Sequence, residues 1–282
     1  MKSWTFASRF QLPSLTPVLA TLGLCVVAIV AVLAPALAPF NPNLQDISQR
    51  LLPPLAPGHL LGTDQLGRDI LSRLIYGSRI SLTVGFVSVA LGSSIGTLLG
   101  LCAGYFGGLV DDIIRWLMNV FLAFPFILLV ITVVAVFGSS AVQLVVILGL
   151  VSWTDYAKVL RAEVLSVRER DFVTAARSTG ATNRVLMFRH ILPNAISPLI
   201  VLGSFDAARL IIVAAALDFL GLGVPANIPS WGSMLSDGRA YMQVAWWLAT
   251  IPGIAIMLIV ICLNVLGDWL RDRTDPRSRA VE

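Results

Sequence analysis

The sequence predicts an all-α membrane protein of six transmembrane helices with both termini cytoplasmic, and three observations carry that prediction. Apolar residues make up 57% of the 282 and charged residues only 13%; with a mean hydropathy of +0.85 the chain is too apolar for a soluble domain. The apolar residues gather into runs long enough to cross a bilayer, which takes about 20 residues. The basic residues are distributed unevenly between those runs. Two at the amino terminus, Arg115, seven from Lys158 to Arg189 and four in the tail put 14 on one side, against four from Arg50 to Arg79 plus Arg239 on the other. Cytoplasmic segments carry the excess of Lys and Arg, so the side with 14 is cytoplasmic.

In chain order, residues 1–17 form a short cytoplasmic segment and 18–40 the first transmembrane helix. Ala36 and Ala38 imitate a signal-peptidase site, but the apolar run before them is too long for a signal peptide, so the helix is read as uncleaved. Residues 41–79 form an external segment. In it Gly62 and Gly67 permit turns, and Asp64, Arg68 and Asp69 can pair and cap a short helix ahead of the membrane, a structural rather than a substrate-binding role. The core membrane domain, 80–267, begins with a span at 80–103 whose Gly92, Gly96, Gly100 and Gly104 recur every four residues, a stripe that lets another helix approach closely. A cytoplasmic turn at 104–112 leads to a span at 113–137 kinked by Pro125, and Gly138, Ser139 and Ser140 form a tight external turn. The fourth span begins at 141, reaches Trp153 and ends in Lys158 and Arg161. The fifth runs from Pro193 to Leu217 and holds Asp206 and Arg209, three residues apart and therefore on one helical face. Charges inside a bilayer are costly, so this pair faces protein or a wet cavity, as a mutually neutralising pair or as a lining of a translocation path. Residues 218–241 form a second external segment in which Trp231 is expected as an interfacial belt aromatic. The last span covers 245–267, and 268–282 is a cytoplasmic tail.

The most informative stretch is the long polar interruption at 155–193, above all DFVTAARSTGATNRVLMFRHILP from Asp171 to Pro193. Ala175 and Ala176 favour helix and carry almost no side chain, so another surface can approach the backbone there. Gly180 can end that helix in the left-handed conformation, Thr182 can cap the next, and Pro193 suits a first turn. The expected shape is helix, sharp turn, helix, suited to docking.

These residues resemble the EAA loop by which permease subunits of ATP-binding-cassette importers engage their ATPases: Thr174-Ala175-Ala176, then Gly180, then Ile191-Leu192-Pro193. Thr174 stands where the family usually has Glu, which removes any ion pair the acid would make, although Glu169 and Asp171 lie close by. Three further stretches carry a sharper resemblance. LGTDxxGRDxxSRxxxGxRxSL from Leu61 to Leu82, GYxGGxxD from Gly104 to Asp111 and FLGLGVPxxxPSWGxML from Phe219 to Leu235 are similar to the C-type subunit of the dipeptide, oligopeptide and nickel transport family.

The resemblance implies the six-helix type I ABC importer permease fold in the bacterial cytoplasmic (inner) membrane. It also implies assembly with a second homologous permease subunit, two ATP-binding subunits and an external solute-binding protein. Asp171, Thr174, Ala175, Ala176, Gly180, Leu192 and Pro193 would be the ATPase-coupling residues, and Asp206 and Arg209 candidates for the translocation path. No catalytic residue, metal site or cofactor is expected in this chain, since ATP and Mg would bind the partner ATPases. The implied solutes are dipeptides or oligopeptides, with nickel complexes or another small solute as the alternative.

Other function classes fit less well. A net charge of +4 is explained by the cytoplasmic loops, without nucleic acid. Cys25, Cys102 and Cys262 have no CxxC spacing and sit in apolar runs as packing residues. Gly92-Ser93-Ser94-Ile95-Gly96 matches the GxSxG of serine hydrolases, but that elbow needs a strand before the serine, whereas Ser94 is expected mid-span. A self-contained secondary transporter would leave the polar loop without a role, and no G-x-x-x-x-G-K-[ST] is present to bind a nucleotide.

Overall fold

Helix boundaries in this chain are set by caps, prolines and glycines more than by the ends of the apolar runs. The computed structural model describes residues 15–138, 140–225 and 227–274. Most of the expected amino-terminal segment, Ser139 of the expected turn and the tail after 274 lie outside the described residues.

Helix α1 (Leu15–Val32) is followed by one further turn, α2 (Ala34–Leu37), with Pro35 at its start. The first helix therefore stops short of the expected Phe40, because Pro35 has no N–H to continue the ladder. An irregular segment then folds around a 3-10 turn, Ile47–Gln49, capped by Asp46. At Gly67 φ is +73°, and a Cβ there would sit 1.7 Å from the Asp46 carbonyl oxygen. Only glycine tolerates both conditions.

Helix α3 (Ile70–Phe106) has 37 residues. It starts ten residues before the expected Ile80, because Asp69 accepts a hydrogen bond from the Ser72 N–H at 2.7 Å and caps it there. At 1.5 Å per residue it is about 55 Å long, well beyond the ~30 Å of hydrocarbon, so it separates two ends of the molecule. Its glycine stripe lies against α6 (Ala141–Val167): a Cβ on Gly96 would be 2.4 Å from the Trp153 carbonyl, and one on Gly100 2.6 Å from that of Ala157. The two backbones touch over several turns, and this is the most extensive helix pair in the fold.

Between them, α4 (Gly108–Leu122) and α5 (Phe126–Phe137) meet at 82°. The kink expected at Pro125 is a sharp break between the two helices. Pro125 lacks an N–H and disfavours helical backbone at Phe124, and Ala123–Pro125 carry the turn. Helix α6 itself runs through Val167, fourteen residues past Trp153, which places Asp155 and Tyr156 on its wall rather than in a loop.

Four short elements follow: α7 (Asp171–Ser178), α8 (Asn183–Val185), a π-helical turn (Leu186–Ile191) and α9 (Leu192–Ala195). Helix α10 (Ser197–Phe219), α11 (Trp231–Gly238), a 3-10 turn (Arg239–Tyr241) and α12 (Trp247–Thr274) complete the described chain. Trp231 is not a belt aromatic. It is 3% exposed, packs between α3, α10 and α12, and donates its indole N–H to the Leu74 carbonyl at 3.0 Å. Buried Trp rings need such a partner. Among the described residues, five helices are long and apolar enough to cross a membrane, or six if the bent α4–α5 pair is one span.

Candidate functional site: a polar loop and a charge cluster within the spans

The polar loop is built by a helix C-cap. Helix α7 ends with the Gly180 N–H donating to the Arg177 carbonyl at 3.0 Å and the Ala181 N–H to the Ala176 carbonyl at 3.1 Å, with Gly180 at φ +85°. This is the Schellman arrangement, which a left-handed residue makes possible. Nothing lies within 4 Å of a Cβ built on Gly180, so glycine is required there for its backbone alone. Thr182 then caps α8, accepting from the Val185 N–H at 3.5 Å. Pro193 occupies the first turn of α9.

One face of α7 holds the loop down and the other is left open. Val173 is fully buried and Ala176 half-buried against Val164 and Val167 of α6 and against Leu186, Met187 and Ile191 of the π turn. Asp171, Phe172, Thr174, Ala175 and Gly180 are exposed, as is Pro193, while Leu192 is half-buried. The expected coupling residues thus share one end of the molecule, and most of them one surface. Two hydrogen bonds tie that surface to the end of α3: Tyr105 Oη to Asn183 Oδ1 at 2.7 Å, and Arg168 Nη1 to the Gly104 carbonyl at 2.8 Å. Arg161 grips Asp111 of α4 through Nε and Nη2 at 2.5 and 2.7 Å, a forked pair that fixes α4 to α6 at the same end.

The second feature lies deeper, between α5, α6 and α10. The Asp206 carboxylate, 4% exposed, accepts from Arg209 Nε at 2.8 Å on one oxygen and from Tyr156 Oη at 2.9 Å on the other. Arg209 Nη2 also reaches Asp155 Oδ2 at 3.2 Å, and its guanidinium lies 5.0 Å from the centre of the Phe126 ring. The pair expected from the spacing is present, but it belongs to a larger group. Tyr156 reaches Asp206 across 50 residues and Asp155 reaches Arg209 across 54, and their sequence neighbours Lys158 and Arg161 suggested the end of a span. The side chains of Arg209 and Asp155 are 43% and 42% exposed, whereas that of Asp206 is 3% exposed. Charge that faces outward at this depth must meet protein or water rather than lipid.

The opposite end is stapled by a different network. Asp64 accepts from Arg68 Nε at 2.6 Å and from Arg73, as well as from the backbone N–H of Leu66 and Arg68. Both arginines continue to Asp237 of α11, at 3.1 and 3.2 Å. His59 bridges Asp69 and Gln49 at 2.8 and 2.7 Å. The apparent hydrolase elbow has none of the required geometry: Ser94 lies within α3, its hydroxyl donates to the Ala90 carbonyl at 2.6 Å, and His59 and His190 are at opposite ends. Among the described residues no group of three or more His, Cys, Asp or Glu could hold a metal ion.

Comparison with known proteins fits this geometry. Residues 96–280 match the family described as binding-protein-dependent transport system inner membrane component. The dipeptide transport system permease protein DppC of Haemophilus influenzae is 44% identical over 259 residues, 90% of this chain and 88% of that protein. The glutathione transport system permease protein GsiD of Pectobacterium atrosepticum is 42% identical over 260 residues, covering 92% and 86%. Among solved structures, a chain of the MetNI methionine ABC transporter in an inward-facing conformation aligns with TM-score 0.56 at 19% identity, over 73% of this chain and 98% of that one. The helices follow the type I ABC importer permease fold, and the relatives are permease components rather than enzymes. This chain belongs to the family of binding-protein-dependent transport system inner membrane components.

Proposed function

We propose that this chain is a permease subunit of an ATP-driven, binding-protein-dependent importer of dipeptides or oligopeptides, forming half of the translocation path. Three of its relatives carry dipeptide or di/tripeptide permease names. The observation that supports the coupling role best is the two-faced loop, its small, exposed face at Thr174 and Ala175 open to a partner and its other face seated on α6. In this reading the partners are a second, homologous permease subunit, two ATP-binding subunits that hold ATP and Mg and carry out hydrolysis, and an external solute-binding protein. Both termini and the 168–193 loop that follows α6 are cytoplasmic, and the 41–69 and 220–245 segments face the binding protein.

The mechanism follows from what α6 connects. Closure of the ATPase dimer displaces α7, which docks through Asp171, Thr174, Ala175, Ala176 and Gly180, with Leu192 and Pro193 bracing the following turn. Val173 shares one apolar cluster with Val164, Leu160 and Tyr156, all on one face of α6, and Tyr156 holds Asp206. A rigid-body shift of the loop therefore reaches the charge cluster through packed side chains, and Asp206 and Arg209 line the path that the shift opens. Binding energy can move such an element only if the two arrangements differ in their contacts, and the ATPase surface supplies that difference.

The test is Gly180→Val in the assembled transporter, reconstituted with its binding protein. Since a Cβ at this position meets no neighbour within 4 Å and the left-handed backbone adds strain of about 1–2 kcal/mol, the subunit is expected in the membrane at near-normal level. Labelled-dipeptide uptake per ATP hydrolysed is expected to fall at least about tenfold, equivalent to ~1.4 kcal/mol of lost coupling. Normal stoichiometric uptake in that variant would remove the loop from the coupling mechanism. Solute movement by this chain alone, without ATP, would overturn the importer reading.

A further inference from the structure

The charge cluster is unbalanced in a way that points to a ligand chemistry. Two carboxylates, Asp155 and Asp206, face one guanidinium, Arg209, and the two are not equivalent. Asp206 is buried and closed on both oxygens by Arg209 and Tyr156. Asp155 is 42% exposed and, among the described residues, is held only by the longer contact of 3.2 Å to Arg209 Nη2. Arg209 is fixed from behind by Asp206 and from the side by the Phe126 ring, yet keeps 43% of its side chain exposed. The inner half of the cluster is a rigid mount, and the outer half is an accessible pair of opposite charges.

We propose that Asp155 and the exposed edge of Arg209 form a transient station for the free termini of a short peptide in transit, the peptide α-ammonium pairing with Asp155 and its α-carboxylate with Arg209. This inference rests on the peptide-importer reading above. An ion pair this exposed is weak, so a peptide exchanges the Asp155–Arg209 contact for its own two contacts at little cost. Because Arg209 is already engaged by Asp206 at 2.7 Å, Asp155 is the less tightly held of the two carboxylates, and it is the one free to exchange its partner for the peptide ammonium. A weak, two-point site suits a path, since a solute must enter and also leave.

The experiment uses the complete transporter in proteoliposomes with saturating peptide-loaded binding protein, reading dialanine transported per ATP hydrolysed. Asp155→Asn is expected to lower that ratio about tenfold, ~1.4 kcal/mol, and Asp155→Glu to restore most of it. Peptide affinity of the separate binding protein does not change, because that chain is not altered. An unchanged ratio in Asp155→Asn overturns the station. Equal loss in Asp155→Asn and Asp155→Glu also overturns it, by showing a purely structural requirement at that position. Absence of dialanine uptake by the unaltered complex is a distinct result, and it strikes the peptide-importer reading instead.

Discussion

Two ionic networks in this chain use the same residue types and differ in closure. At the end carrying α11, Asp64, Arg68 and Arg73 have side chains 2–7% exposed, and only their outer partner Asp237, from another element, is 35% exposed. Between α5, α6 and α10, Asp206 is as deeply buried, but Arg209 and Asp155 remain nearly half-exposed. A closed network spends its hydrogen bonds on holding backbone segments together, and breaking it leaves buried charge behind. A half-open network keeps part of its charge available. Their places in the fold strengthen the contrast, because the closed network lies where the chain is largely irregular and the open one lies within long helices, where exposed charge needs protein or water around it.

That contrast makes a ranked set of expectations. The largest effect belongs to Arg73→Met, which leaves Asp64 and Asp237 to Arg68 alone and should cost about 3 kcal/mol, read as loss of folded subunit and a lowered melting temperature of the purified transporter. A smaller loss than in the Arg209 variant would invert the comparison. Next, Arg209→Met leaves the buried Asp206 with Tyr156 as its remaining partner and should cost about 2 kcal/mol. Adding Asp206→Asn to that variant should recover part of the loss, since the stranded charge is removed, and simple additivity of the two would show that the residues act separately. The smallest effect is Tyr156→Phe, about 1 kcal/mol for one hydrogen bond whose acceptor keeps Arg209. A melting temperature indistinguishable from the unaltered protein would mean that the Tyr156 hydroxyl contributes nothing to closing the inner half.

Much of the architecture was legible because it depends on neighbours in sequence. The apolar runs located the spans, Gly180 and Thr182 located the turn of the polar loop, and the three-residue spacing of Asp206 and Arg209 put them on one face. The misreadings have equally local causes. Asp69 competes with the start of the apolar run and wins the beginning of α3, by offering the first turn an acceptor. Pro125 was expected to kink a span and instead divides it at 82°. Trp231 has the amphipathic ring of a membrane-interface residue, but small residues around it, Gly77 among them, leave space for it inside.

The sequence by itself determined that this chain is helical, membrane-embedded and interrupted by one docking-shaped loop, because hydropathy, helix caps and glycine conformation act over a few residues at a time. Only the tertiary structure decided which charges meet. Asp237 closes on Arg68 and Arg73 across 169 and 164 residues, and Tyr156 reaches Asp206 across 50. Those meetings follow from how closely α3, α6 and α10 pack, with the α3 glycines seated against side chains and backbone of α6 and α10, a fit that no stretch of chain carries alone.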